Sequence, residues 1–174
     1  MDKKTRDHDA MMQGLNWWGI PTLFRCPYNT DTKGCDIALV GVPHSTGNGT
    51  TERDQHLGPR AVRNISALGR RAHLKFGLVP WDICDIRDLG DVPLPEANNN
   101  EKCIEHITDF YTRIAETKTR PLSVGGDHSI TGGILQAIAS PNSNLTGGEK
   151  AVLLQPARST WPACVNCATT MVSF

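Results

Sequence analysis

The sequence predicts an α/β fold in which helices cover both faces of a parallel β-sheet, a three-layer α/β/α arrangement. Short apolar runs typical of buried strands alternate with segments whose apolar residues recur at helical spacing. The 174 residues include 16 glycines and 11 prolines, above the roughly 12% that is usual for the two together. This excess favours a chain rich in loops over a helical bundle.

The first predicted strand covers residues 36–42, an apolar run that ends at Pro43. A polar loop over residues 44–57 follows. Gly58-Pro59 then opens a helix, since proline is favoured in the first helical turn. Its apolar residues are predicted to share one face: Ala61, Val62, Ile65 and Leu68.

The remaining elements continue the alternation of strands and helices. The asparagines at 98–100 are predicted to end a loop and cap the helix that follows. The elements are an apolar stretch over residues 78–92, a helix over 101–117, a strand over 120–124, a helix over 130–138 and a strand over 151–154. Sites in such folds lie at the carboxyl ends of the strands, where loops meet helix N-termini.

The charge balance argues against two classes of partner. Lys and Arg total 18, as do Asp and Glu, whereas binders of nucleic acid or anionic membranes carry a basic excess. No apolar run approaches the roughly 18 residues that a membrane span needs, and the N-terminus is polar through Gln13. We therefore expect a cytoplasmic protein without a signal peptide, whose six cysteines are reduced thiols.

His128 is the first candidate for chemistry. It follows the predicted strand over 120–124 and two glycines, at the start of a helix. Gly125 and Gly126 would let the backbone turn tightly and leave room for a ligand, and Asp127 could orient an imidazole. The alternative is that Asp127 or Ser129 caps the helix and His128 is an incidental loop residue.

The loop after the first strand is the second candidate. It holds His44, Asn48, Thr50 and Arg53 among interspersed glycines. Neither phosphate-binding glycine motif is present, so a nucleotide loop is excluded. The segment is either a substrate-facing loop or a solvated crossover.

Two further features have structural alternatives. Cys164-Val-Asn-Cys167 supplies only two of the four ligands that a zinc site needs. The spacing is either a chance occurrence or part of a thiol or zinc site. The pair Trp17-Trp18 favours packing or an interface over a cofactor stack.

Two motifs follow one another along the chain: Gly41-Val-Pro43 followed by Gly49-Thr-Thr51, Arg53 and Gly58-Pro-Arg-Ala-Val-Arg63, and then Gly125-Gly-Asp-His-Ser-Ile-Thr131. Together they resemble the ureohydrolase family of arginases and agmatinases, and its agmatinase branch in particular. The stretch from Trp18 to Arg25 and the run Asp88-Leu-Gly-Asp-Val92 resemble further parts of that branch. The resemblance covers residues 15–154.

The resemblance implies an arginase-like fold, usually in a homo-oligomer, that binds two manganese ions. It implies that the metals activate a hydroxide, which attacks the carbon of a guanidino substrate such as agmatine or guanidinobutyrate and releases urea. By the same resemblance His128 is a manganese ligand, and Gly125, Gly126 and Asp127 shape its turn. His44, Asn48, Thr50 and Arg53 would border the substrate mouth.

The sequence also departs from that family. The strand matching residues 151–154 leads, in the family, into an Asp-Ala-His-x-Asp motif that supplies further ligands, and here Gln155 follows instead. The expected organisation is a flexible arm over 1–14, the N-terminal part of a ureohydrolase domain over 15–154, incomplete on its C-terminal side, and a divergent tail over 155–174. The tail suggests a shifted frame, retained intron or alternative exon. We expect this chain to be weak or inactive alone; the alternative is a non-catalytic product that associates with full-length subunits.

Overall fold

The computed structural model describes residues 15–45, 54–69, 71–140 and 152–154, the last of these as backbone only. It contains a four-stranded sheet in the order β2-β1-β3-β4, with every neighbouring pair parallel. The predicted parallel sheet is therefore confirmed. Its strands are β1 (Ile37–Val42), β2 (Ile86–Asp91), β3 (Arg120–Gly125) and β4 (Val152–Leu154).

Three α-helices connect and cover these strands. The predicted cap of the second helix is present, because Asn99 Oδ1 accepts a hydrogen bond from the Lys102 amide at 3.2 Å. Proline stands in the first turn of the first helix, as expected. The helices are α1 (Gly58–Ser66), α2 (Asn100–Ala115) and α3 (Ile130–Ile138), and short 3₁₀ turns lie at Leu23–Arg25, Gln55–Leu57 and Pro80–Asp82.

One face of the sheet packs against α2 and α3. Alternate residues of β1 point to this side, as the period of a strand requires. The apolar residues of α2 and α3 meet them, and the side chains are almost completely excluded from solvent. The buried set includes Ala38, Val40, Val42, Ile107, Tyr111, Ile114, Ile130, Ile134 and Ile138.

The opposite face packs against α1 and the segment that precedes β1. Leu39, Ile86 and Val124 form this side of the core together with fully buried Leu23. Val62 of α1 packs against the same cluster. Helices thus cover both faces of the sheet, which confirms the three-layer architecture.

The outer edge of β2 is covered by the chain segment that leads into β1. The Asp88 amide donates to the Pro27 carbonyl at 2.9 Å, and the Asn29 amide donates to the Asp88 carbonyl at 3.0 Å. A covered edge is protected from pairing with other chains.

Of the apolar residues predicted to share one face of the first helix, Val62 packs on the core but Ile65 and Leu68 do not. Ile65 and Leu68 are 56% and 59% exposed, whereas Ser66 is buried. The Ser66 hydroxyl accepts a hydrogen bond from the Phe24 amide at 3.0 Å, and Arg63 of the same face forms ion pairs. The inward face of α1 is therefore partly polar, which the spacing of its apolar residues does not indicate.

Other expectations are corrected in detail. The stretch over residues 78–92 is a strand only from Ile86 onward. Cys84 is only partly buried, whereas Cys26, Cys35 and Cys103 are buried. Within the described residues no helix combines the length and hydropathy needed to cross a bilayer.

Candidate active-site edge of the sheet

The carboxyl ends of β1 and β3 lie side by side, and their pairing continues beyond the strands. The Gly126 amide donates to the Val42 carbonyl, and the Asp127 amide donates to the His44 carbonyl, both at 2.9 Å. The loop after β1 and the turn after β3 are therefore held together at the edge where parallel α/β sheets place their sites.

Gly125, the last residue of β3, and Gly126, the residue after it, are required by close contacts. A Cβ at Gly126 would overlap the carbonyl oxygen of His44 and lie 3.0 Å from that of Gln55. A Cβ at Gly125 would overlap the Cδ1 atom of Ile130 at the start of α3. The turn thus packs directly on the neighbouring backbone and helix.

His128 lies on this turn and is exposed to solvent. Its Nδ1 atom is 2.9 Å from Thr131 Oγ1. The carboxylate of Asp127 is buried and accepts hydrogen bonds from the Ser129 amide at 2.9 Å and the Ser129 hydroxyl at 2.5 Å. Asp127 therefore braces the turn, and Thr131 restrains the imidazole of His128.

His44 is buried, with only 2% of its surface exposed. Its Nε2 atom lies 3.0 Å from Oδ1 of Asn100, the first residue of α2. This burial favours a supporting role for His44 over direct contact with a substrate. The other predicted substrate-binding residues, Asn48, Thr50 and Arg53, lie outside the described residues.

An ion-pair network beneath this edge had no role assigned to it from the sequence. Arg63 Nε and Nη2 donate to the two carboxylate oxygens of Asp88 at 3.0 and 3.1 Å, and Nη1 donates to Asp91 at 2.6 Å. The Asp88 carboxylate also accepts from the amides of Leu23 and Gly90 at 2.7 and 2.9 Å. The only sequence signal was that both partners lie in family-like motifs.

Electrostatics keep this arginine charged. Burial works to lower the pKa of Arg63, but the hydrogen bonds and charges of Asp88 and Asp91 outweigh it and leave that pKa raised. A Cβ at Gly41 would overlap the Asp91 carboxylate, so β1 needs glycine where this network approaches. The network ties α1 to β2 below the sheet edge.

The residues described do not by themselves fit a two-manganese centre. Among them no group of three or more His, Cys, Asp or Glu side chains is arranged to hold a metal ion. His128 stands where one ligand would be expected, but a single imidazole cannot hold a divalent cation against water. Cys164 and Cys167 lie outside the described residues, so their predicted alternatives stay open.

Comparison with known proteins identifies the family. Residues 35–154 match the model of the arginase family. Over 120 residues the chain is 38% identical to guanidinopropionase of Pseudomonas aeruginosa, covering 69% of this chain and 37% of that protein. It is 37% identical over 121 residues to the mitochondrial agmatinase of Gallus gallus, covering 70% of this chain and 35% of the relative.

A solved structure agrees with these matches. The structure of a hypothetical agmatinase from Burkholderia thailandensis matches with a TM-score of 0.66 at 29% identity, over 72% of this chain and 39% of that one. The chain spans little more than a third of the length of the relatives it matches. Sequence and fold agree: the chain belongs to the arginase family.

Proposed function

We propose that this chain is part of a hydrolase that cleaves guanidino compounds to an amine and urea, and that His128 supplies one ligand of its manganese centre. The observation that carries the proposal is the position of His128. It lies at the carboxyl end of a central strand, on a turn that close packing and Asp127 hold in place.

The substrate class follows from the relatives. Those that match this chain are named guanidinopropionase, agmatinase and guanidinobutyrase, at 35–38% identity. The compounds that these names point to each carry a guanidino group on a short chain. We extend that class to the protein to which residues 35–154 belong, with agmatine and guanidinobutyrate as the first compounds to test.

The 174-residue chain is itself proposed to be weak or inactive. The described residues offer no group of three metal-binding side chains, and hydrolysis through a metal-bound nucleophile needs a site that retains its ions. Incubation of the chain with manganese and each guanidino compound should release no urea above the blank. Release at the rate of an intact relative would contradict this part of the proposal.

A chimera tests the hydrolase assignment. Residues 35–154 would replace the matching segment of the Pseudomonas aeruginosa guanidinopropionase. We expect the chimera to release urea and its His128→Ala variant to lose that activity. His106→Ala is the matched control, because His106 lies on α2 and pairs with the exposed Glu96 of the loop before that helix. Full activity in the His128→Ala chimera would exclude a ligand role.

A second candidate function is association with intact subunits of the family. It is favoured by the N-terminal segment, where Trp17, Trp18 and Ile20 are 69%, 51% and 91% exposed. Apolar surface of this kind marks contact sites. Co-expression with an intact relative should yield a complex that the double variant Trp17→Ser and Trp18→Ser weakens. Purification of the two chains separately would exclude this function.

A further inference from the structure

We propose that His44 and Asn100 act as a positioning pair that sets the turn bearing His128, and that His44 does this without touching substrate. The catalytic meaning of the pair rests on the function proposed above for His128. Its structural basis is independent of that function and lies in the contacts between the exit of β1, the start of α2 and the turn after β3.

The side chain of His44 forms a hydrogen bond with the first residue of α2. It is 2% exposed, and its Nε2 atom is 3.0 Å from Asn100 Oδ1. An amide oxygen only accepts hydrogen bonds, so with Oδ1 as the partner the proton of this bond lies on Nε2. The contact joins residues that are 56 positions apart in the sequence.

Two consecutive asparagines at the start of α2 have different roles. Asn99 caps the helix, since its Oδ1 accepts from the Lys102 amide at 3.2 Å. The helix therefore does not require Asn100 as its cap. Asn100 can instead reach from the rim of the helix to the buried imidazole of His44.

The backbone of His44 forms a hydrogen bond with the turn after β3. Its carbonyl oxygen accepts the Asp127 amide at 2.9 Å, and it packs on Gly126 so closely that no Cβ would fit there. Asp127 immediately precedes His128 in the chain. A displacement of His44 must therefore be transmitted to the residue that carries the candidate ligand.

Burial alone would not require a histidine at this position. Leucine would fill a similar volume but could not bond to Asn100, so residue 44 would keep its backbone hydrogen bonds and its packing but lose its side-chain bond to α2. Glutamine can place a side-chain N–H near the position of Nε2. Comparison of the two variants separates the hydrogen bond from the filling of space.

The test uses NMR on the full chain, without metal or substrate. The variants are His44→Leu, His44→Gln and Asn100→Ala, with His106→Leu as the matched control on α2. The readouts are hydrogen exchange of the Asp127 amide and the imidazole resonances of His128. We expect His44→Leu and Asn100→Ala to speed exchange at Asp127 about tenfold, the scale of one lost hydrogen bond, and to shift the His128 resonances.

Rescue distinguishes positioning from general stability. His44→Gln should restore both readouts toward the parent values, and the control should leave them unchanged. If His44→Leu does not fold, Asn100→Ala decides, because Asn100 is exposed at a helix start. Unchanged exchange and unchanged His128 resonances in the folded Asn100→Ala variant would overturn the proposal. Because these readouts need no activity, a chimera that releases no urea would reject the proposed function without affecting this result.

Discussion

Arg63 and Asp88 form a two-pronged ion pair beneath the candidate site, with Nε–Oδ2 and Nη2–Oδ1 distances of 3.0 and 3.1 Å. The Arg63 side chain is 12% exposed and that of Asp88 is 1% exposed. Water screens such a pair little, and planar guanidinium and carboxylate groups match in geometry. The pair fixes α1 to β2 and thereby fixes one layer of the fold on the sheet.

Replacement of this arginine should destabilise the protein strongly. Arg63→Met leaves the buried Asp88 carboxylate without its counter-charge, which costs about 3–5 kcal/mol of unfolding free energy. Urea denaturation measures the loss. Arg60→Met is the control on the exposed side of the same helix, and should change stability by no more than about 0.5 kcal/mol. Equal midpoints for the two variants would show that the ion pair is not structural.

The same substitution at two glycines should have opposite effects. Gly126→Ala places a methyl group against the carbonyl oxygens of His44 and Gln55, and should cost about 1–3 kcal/mol or more. Gly132 lies within α3, and no atom lies within 4 Å of the position that a Cβ would take there. Gly132→Ala should therefore raise the free energy of unfolding by about 0.5–1 kcal/mol. Thermal unfolding of both variants is the measurement. A neutral Gly126→Ala variant would contradict the close approach of the two strand exits.

Tyr111 should make stability depend on pH in alkali. Burial raises the pKa of Tyr111, and its 2.5 Å hydrogen bond to Ser123 opposes this only in part. The folded-state pKa thus lies above the unfolded value of about 10. The neutral phenol stabilises the fold below that value, and this contribution is lost as pH rises above about 10.

The variant Tyr111→Phe tests this dependence. At pH 8 we expect it to be less stable than the parent by about 1 kcal/mol, because the bond to Ser123 is lost. The gap should narrow between about pH 10 and 11.5, where only the parent has a phenol at position 111 that ionises on unfolding. Guanidinium denaturation across this range measures the gap. A gap that does not change with pH would contradict the burial of this hydroxyl.

The described cysteines should differ in reactivity. Burial raises the pKa of the Cys26, Cys35 and Cys103 thiols. At Cys26 the hydrogen bond from the Trp81 side chain opposes this rise in part. Cys84 is only partly buried. Since the thiolate is the reactive form, Cys84 should be alkylated by iodoacetamide about tenfold faster than these three. Peptide mapping over time identifies each site, and equal rates after unfolding in urea provide the control.

Much of the fold could be predicted because its signals are local. The apolar run that ends at Val42 marks the end of β1, and Gly125 and Gly126 mark the end of β3. Both signals can be read without knowing which residues lie nearby in the fold. The polar inward face of α1 could not be read this way. Ser66 and Arg63 form hydrogen bonds with Phe24 and Asp88, which lie 42 and 25 positions away. Only the folded chain brings those partners together.

The candidate site also contains one residue whose position follows from the local sequence and one whose role depends on a distant partner. The position of His128 at a strand end follows from a strand, two glycines and a helix in succession. His44 looked equally suitable as a substrate contact, because it also follows a strand. It is buried, and its partner Asn100 lies 56 positions further on, which no local pattern indicates.

The metal content of the guanidinopropionase chimera tests the central claim most directly, since it measures the proposed role of His128 without depending on turnover. The chimera and its His128→Ala and His106→Ala variants would be loaded with manganese, freed of unbound metal and analysed for ions per subunit. The account predicts that His128→Ala binds at least one manganese ion fewer than the chimera, while His106→Ala binds the same number. An unchanged manganese content in the His128→Ala variant would contradict it.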